Sequence, residues 1–463
     1  MSESLQAVYF SMVFLAMLYI FHKVRLNRIS VLLVLIFWQG LFQYISNVSG
    51  SNAIADSYKI IVVVYAFTLS WKKILNAHEK HDKIINILFI LFSVSFWVTY
   101  LLYGGGILTI LSQYLFKYGL VWILYHYFKD IVHYTAKREY LKRTLLFILY
   151  VQIGLSIIKI MLFGFAVEPI VGSMSAGGAG TAVVIPIVGL VFYWLIKNRK
   201  FTRWEWVITA MIFIIAIASG KRQPIAFYPA ILFGLLVFVE KKIRPAALIK
   251  YIPIVLMIFY IGIRLTPTLT PENKVGGSFD ISHVRDYALM YYFGTTQAGM
   301  IFSEDYVHFG RGGAIASYFQ PRLLTLYSYK EMLFGKGRYE VAIGAHGRFH
   351  ASSSSDYGIQ HSGLMGEAGA MLYSFGYVGT ILMIILAGAF IGQIKNKKLM
   401  TVVLLFYLWD FMFYYNQVIF SNQSALIVLF IIFYANFSER RMRQHYEIKR
   451  AYNSEIQPHI LPL

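Results

Sequence analysis

The sequence predicts an all-α polytopic membrane protein of about thirteen transmembrane helices, within a range of twelve to fourteen, and three observations predict it. The 463 residues are 58% hydrophobic and only 14% charged, with a mean hydropathy of +0.59, which excludes an ordinary soluble protein. Apolar runs long enough to cross a bilayer as helices recur along the chain. Basic residues collect in every second connection between these runs, the pattern by which cytoplasmic loops hold a membrane protein's orientation.

The first run, 5–22, is long and flows into His22, Lys23 and Arg25, so it reads as a retained first span rather than a cleaved signal peptide. Further spans are predicted at 30–46, 58–71, 84–102, 105–128, 144–163, 180–196, 203–218, 224–240 and 246–264. After a long polar interruption come 370–392, 399–416 and 423–437. Clusters such as Lys72/Lys73/Lys80/Lys83, Lys129/Lys137/Arg138/Lys142/Arg143, Lys197/Arg199/Lys200/Arg203 and Lys395/Lys397/Lys398 mark one face, and Arg440, Arg441 and Arg443 continue it into the tail. The alternate connections at 47–57, 104–106 and 164–178 are nearly free of basic residues. This alternation predicts an N-terminus outside and a C-terminus in the cytoplasm. The chain then divides into ten helices over 1–264, an extracytoplasmic loop with short helices over 265–362, three helices over 363–438, and a cytoplasmic tail over 439–463.

Composition excludes several functions. The formal charge of +20 lies in short loops between spans, where it reads as orientation and contact with anionic lipid rather than nucleic-acid binding. Cysteine is absent, which removes disulfides, thiolate nucleophiles and cysteine metal sites. No predicted cytoplasmic loop exceeds roughly fifteen residues, far below the size of a folded domain, and there is no glycine-rich phosphate loop. Substrate is therefore expected from within the membrane or from the outer side.

Two places break the charge rule. The turn Ser219-Gly220-Lys221-Arg222-Gln223 sits on the predicted outer side and leads to Pro224 at the next helix start. Two cations beside helix-start N–H groups suit a phosphate, and snorkelling at the headgroups is the plainer alternative. Arg264 caps the tenth span, where it reads equally as an interfacial anchor or a ligand contact. Within the loop most charges read as a solvated surface, but Arg322 opens an amphipathic stretch ending in the turn Gly335-Lys336-Gly337. His346 and His350 lie in a Gly/Ser-rich segment with no third ligand at zinc-motif spacing, so no metal is expected. His361 leads straight into the eleventh span, a setting that suits a general base as well as a plain interfacial histidine. Lys117, Lys159 and Asp410 fall inside spans; an ion pair between Lys159 and Asp410 is the simplest expectation, with a proton or ion pathway as the alternative.

The order of these features resembles the bacterial O-antigen polymerase and O-antigen ligase superfamily of lipid-linked glycan transferases. The resemblance covers roughly 205–395: an outward turn at Ser219–Arg222, a large loop two spans later, Arg322, a Leu-Phe-Gly-Lys-Gly turn at 333–337, and His361, Glu367 and Gly376–Gly379 in series. The pair Arg264 and Gly276 approximates an arginine–glycine spacing of the polymerases, whereas His361-Ser362 departs from the His-Asn usual in the ligases. The resemblance implies that Arg222, with Lys221, Arg322 and Arg264, contacts a lipid diphosphate. It also implies that His361 accepts the proton of the acceptor hydroxyl, with Glu367 in support. It further implies undecaprenyl-diphosphate-linked oligosaccharides as substrates, no cofactor, an inner-membrane location, membrane lipids around the spans and a chain-length regulator as a partner. Polymerase is the favoured reading. A ligase transferring glycan to lipid A core is the near alternative, and a flippase or secondary transporter the alternative of another class.

Overall fold

A computed structural model describes residues 3–23, 27–77, 79–103, 107–164, 172–173, 202–218, 249, 252–266, 269–272, 274, 276–288, 300–302, 307–309, 328–335, 359–361, 367–413 and 429–436 without 431 and 435. Its N-terminal part is a helical bundle of α1 (Glu3–Lys23), α2 (Arg28–Phe37), α3 (Gln39–Ser49), α4 (Ala53–Leu75), α5 (Lys80–Tyr103), α6 (Ile107–Tyr114), α7 (Leu120–His133) and α8 (Thr135–Phe163). Four of these, α1, α4, α5 and α8, are long and apolar enough to cross a membrane, and α2 with α3 makes a fifth if the bent pair is one span. Each outward-facing stripe of Leu, Ile, Val and Phe on these helices stays exposed, as expected of a surface solvated by lipid rather than water. The protein is a multi-pass membrane protein in this sense.

Helix α4 outruns the expected span 58–71 because its polar start is buried rather than solvated. The Asp56 carboxylate accepts from the Ser112 hydroxyl of α6 at 2.8 Å and pairs with Lys59 one turn on at 3.0 Å. A carboxylate held by two donors costs far less inside a bundle than an isolated one.

The expected span 30–46 is not continuous. Helices α2 and α3 meet at a 50° bend around Trp38. Kinks of this size follow where a side chain enters the backbone ladder. Here Ser173 does so, its hydroxyl donating to the Phe37 carbonyl at 2.6 Å, while the Trp38 indole N–H donates to the Val13 carbonyl at 2.9 Å. Ser173 is itself fixed by Gln152 of α8 through its backbone N–H and its hydroxyl, both at 2.8 Å. Gly172 has φ 41°, and an added Cβ would fall on the Gln152 amide, so this approach requires glycine.

The expected span 105–128 is also interrupted, by a π-helical turn over Leu115–Gly119 that carries Lys117 between α6 and α7. At the far end of α4 and α5, lysines thought of as orientation signals are paired. Lys73 meets Asp130 at 2.5 Å, and Lys129 meets Glu79 at 2.6 Å and Asp82 at 2.8 Å. These bridges clamp α4 and the start of α5 to α7.

Beyond the bundle come α9 (Arg203–Ala218), which matches the expected span 203–218, and α10 (Ile252–Leu265). The loop region holds α11 (Ile281–Ala288) and α12 (Tyr329–Phe334), the short helices expected there. It also holds three strands that were not expected: β1 (Met300–Phe302), β2 (Val307–Phe309) and β3 (Ile359–His361). Strands of three residues show no alternation long enough to read from sequence. β1 pairs with β2 antiparallel, and β2 with β3 parallel. Helices α13 (Glu367–Ile391), kinked at Gly376, and α14 (Lys397–Phe413) fall on the expected spans 370–392 and 399–416, and the described residues of the expected span 423–437, at 429–430, 432–434 and 436, are helical. Expected spans 180–196 and 224–240 lie outside the described residues.

Candidate functional site

Candidate residues lie at three described places: Arg264 near the end of α10, His361 at the end of β3 and Glu367 at the start of α13. At the end of α10, Arg264 closes the first turn of the loop upon itself. Its guanidinium donates to the Gly276 carbonyl at 2.6 Å and to the Tyr260 hydroxyl at 2.8 Å, and the Gly276 N–H donates back to the Arg264 carbonyl at 2.6 Å. Gly276 has φ 78°, the left-handed region that glycine adopts without a Cβ clash. The arginine and glycine noted in the sequence therefore meet directly. The geometry uses Arg264 as a clamp, with two of its five donors spent within the loop and Nε buried without a hydrogen-bond partner among the described residues.

The segment that follows is built from local hydrogen bonds. Glu272 accepts from the Ser278 hydroxyl at 2.5 Å and from its N–H at 2.9 Å, and Asp280 accepts from the Ser282 hydroxyl at 2.6 Å. Donors of this kind stabilise the ionised form, so the Ser278 hydroxyl holds Glu272, and the Ser282 hydroxyl holds Asp280, below the usual carboxylate range. Both carboxylates are thereby committed to shaping the chain before α11.

Helix α12 is short but fully capped. The Ser328 hydroxyl accepts from the Glu331 N–H at 3.3 Å, and Glu331 accepts from the Ser328 N–H at 2.9 Å, a reciprocal capping box. At its other end Gly335 turns the chain at φ 75°. This end packs against α5 and α13: the Thr99 hydroxyl donates to the Phe334 carbonyl at 2.9 Å, and the backbone of Leu333 and Gly335 lies against Gly376. Leu333–Gly335, the described part of the 333–337 turn, thus meets Gly376 in space although the two are separate in sequence. Thr99 was not a sequence candidate, and a lone threonine in an apolar span carries no signal that would have made it one.

His361 ends β3 and stands in register with Phe309 of β2. Glu367 is the first residue of α13. Arg222, Lys221 and Arg322 lie outside the described residues, as do His346 and His350. Lys117 sits beside the Tyr118 ring at 5.8 Å, and Lys159, only 2% exposed, lies over the Tyr9 ring at 5.0 Å. The Asp410 side chain expected to pair with Lys159 is outside the described residues. No family model, no curated protein and no solved structure matches the chain.

Proposed function

We propose that the protein is a metal-independent, lipid-linked glycosyltransferase that polymerises undecaprenyl-diphosphate-linked oligosaccharide repeats on the outer face of a bacterial inner membrane. The observation that supports this reading best is the meeting of Leu333–Gly335 with Gly376. Those two segments carry much of the resemblance, and their contact ties the loop to the helix that follows His361. In this reading the full complement is about thirteen helices, with 265–362 as one large outer loop.

The chemistry asks little of the protein. A sugar hydroxyl of one lipid-linked repeat attacks the anomeric carbon of another, and the carbon–oxygen bond to diphosphate breaks through an oxocarbenium-like transition state. The hydroxyl proton passes to His361, with Glu367 in support, and the departing charge is met by Arg222, Lys221 and Arg322. Arginine suits that place because its planar fork binds phosphate oxygens in two-point fashion. Arg264 serves chiefly by holding the loop entrance.

Purified protein in nanodiscs, given lipid-linked repeats with no nucleotide or metal, is expected to lengthen the glycan in ladder steps on a gel. Retention of single repeats would sink the polymerase reading, and transfer only to lipid A core would convert it to a ligase. Reporter fusions check the sidedness: an enzyme active only in the periplasm should work at Ser353 and fail at Asn396. The reverse pattern would place the proposed site in the cytoplasm.

A flippase or secondary transporter is the second reading, favoured by the broken spans at Trp38 and Leu115–Gly119 and by buried Lys159. It predicts movement of lipid-linked repeats across a sealed bilayer without chain extension.

A further inference from the structure

We propose that Gly376 and Thr99 are positioning residues that latch the loop turn Leu333–Gly335 onto the bundle, giving the loop and the helix after His361 one frame. The inference rests on the proposed polymerase reading only for its link to the reaction; the latch itself stands on backbone geometry.

Gly376 interrupts α13 with φ 60° and ψ −160°, a conformation open essentially to glycine alone. A Cβ at this position would lie 2.5 Å from the Leu333 carbonyl carbon and oxygen and 2.6 Å from the Gly335 nitrogen. The obstacles are backbone atoms, so no side chain can swing aside to make room. One face of a membrane helix is therefore bared at a kink, and a loop turn occupies the bared place.

The fit is matched on the loop side. Helix termini leave carbonyls without intrahelical partners, and the Phe334 carbonyl is one of these. It finds its donor across the bundle in Thr99 of α5, 235 residues away in sequence, whose hydroxyl, with a single proton to give, lies nearer the Phe334 carbonyl, at 2.9 Å, than the Ser95 carbonyl of its own helix, at 3.1 Å. Gly335, at φ 75° and ψ −170°, turns the chain where the contact is made. The Ser328–Glu331 capping box gives α12 a defined start, so the turn is presented by a formed helix rather than by loose chain. Lower down, Gly379 keeps α13 close to α5: a Cβ there would come within 3.3 Å of the Ser95 hydroxyl and still closer to Phe375. Three elements are thus held at one point: α5 of the bundle, α12 of the loop and α13.

The absence of native cysteine makes the latch measurable with one introduced thiol. Leu333→Cys keeps the backbone that makes the contact, and Tyr329→Cys, at a position 77% exposed, serves as the freely reacting control. In detergent or nanodiscs, a membrane-impermeant maleimide should label Cys at 333 much more slowly than at 329. Adding Gly376→Ala should raise the rate at 333 roughly tenfold or more, from the strain of that backbone conformation. Thr99→Val should raise it roughly two- to tenfold, the worth of one hydrogen bond, while Thr99→Ser should restore the slow rate. Because Thr99→Val leaves α13 untouched, it decides the matter even if Gly376→Ala fails to insert. Equal labelling in Thr99→Val and Thr99→Ser, or equal labelling at 333 and 329 in the parent, would overturn the latch.

Chain extension is then measured on variants without the added thiol. It should fall for Gly376→Ala and Thr99→Val and recover for Thr99→Ser, in the order set by labelling. Faster labelling with unchanged extension would overturn the positioning role. A parent protein that never extends glycan would overturn the proposed function instead, while the labelling result decides the latch independently.

Discussion

Histidine 361 replaced by alanine or glutamine is expected to abolish glycan extension by about 10²–10⁴-fold, the loss typical of a removed general base. Binding of lipid-linked repeats should survive, because a base acts on the transition state more than on the ground state. The position has a structural basis: His361 ends a strand paired in register with Val307–Phe309, six residues before α13 begins at Glu367. Its backbone is held by that pairing, which suits a group that must meet a proton within hydrogen-bond reach. Alanine at His346 or His350 should cost much less, and EDTA should not inhibit. Normal extension by His361→Ala together with loss in His350→Ala would remove the assignment, and inhibition by EDTA would point to a metal.

Arginine 222 carries the second large effect. Arg222→Ala should lower extension by about 10²–10³-fold, the scale seen when one preorganised donor to a developing negative charge is removed. Arg222→Lys should recover little of it, since an ammonium keeps the charge but not the planar fork. Lys221 remains in both variants and tests whether a neighbouring point charge suffices. Insertion and expression, followed by a tag on the C-terminal tail, should be unchanged. Wild-type glycan levels in Arg222→Ala would exclude the residue from the reaction, and full rescue by lysine would reduce its role to charge alone.

Hydropathy alone placed the long helices well. The runs at 5–22, 84–102 and 144–163 sit inside α1, α5 and α8 because a lipid-facing helix must be apolar on most sides and leaves a plain signal. What hydropathy could not show is how a span bends. The break at Trp38 depends on Ser173, and the kink at Gly376 depends on a turn at Leu333–Gly335; both are settled by distant chain. Glycine and serine in an apolar run fit a straight helix equally well. The charge pattern was similarly two-valued. Lys73 and Lys129 mark a loop side by position, yet each is consumed by a carboxylate on a neighbouring helix. In the loop, Arg264 and Gly276 were brought together only by the resemblance, which does not say which donors are spent. Thr99 was invisible because its partner is a backbone carbonyl, which every residue supplies.

The serine that caps the bend at Phe37 is made 136 residues after it. During synthesis the N-terminal helices therefore wait. Until residue 173 emerges, the carbonyl at the break lacks that cap. The first helices are then best regarded as a half-built unit whose closure is timed by the chain that follows α8. A ribosome paused between α8 and Gly172 would hold a nascent chain in which the bend at Trp38 still lacks its serine.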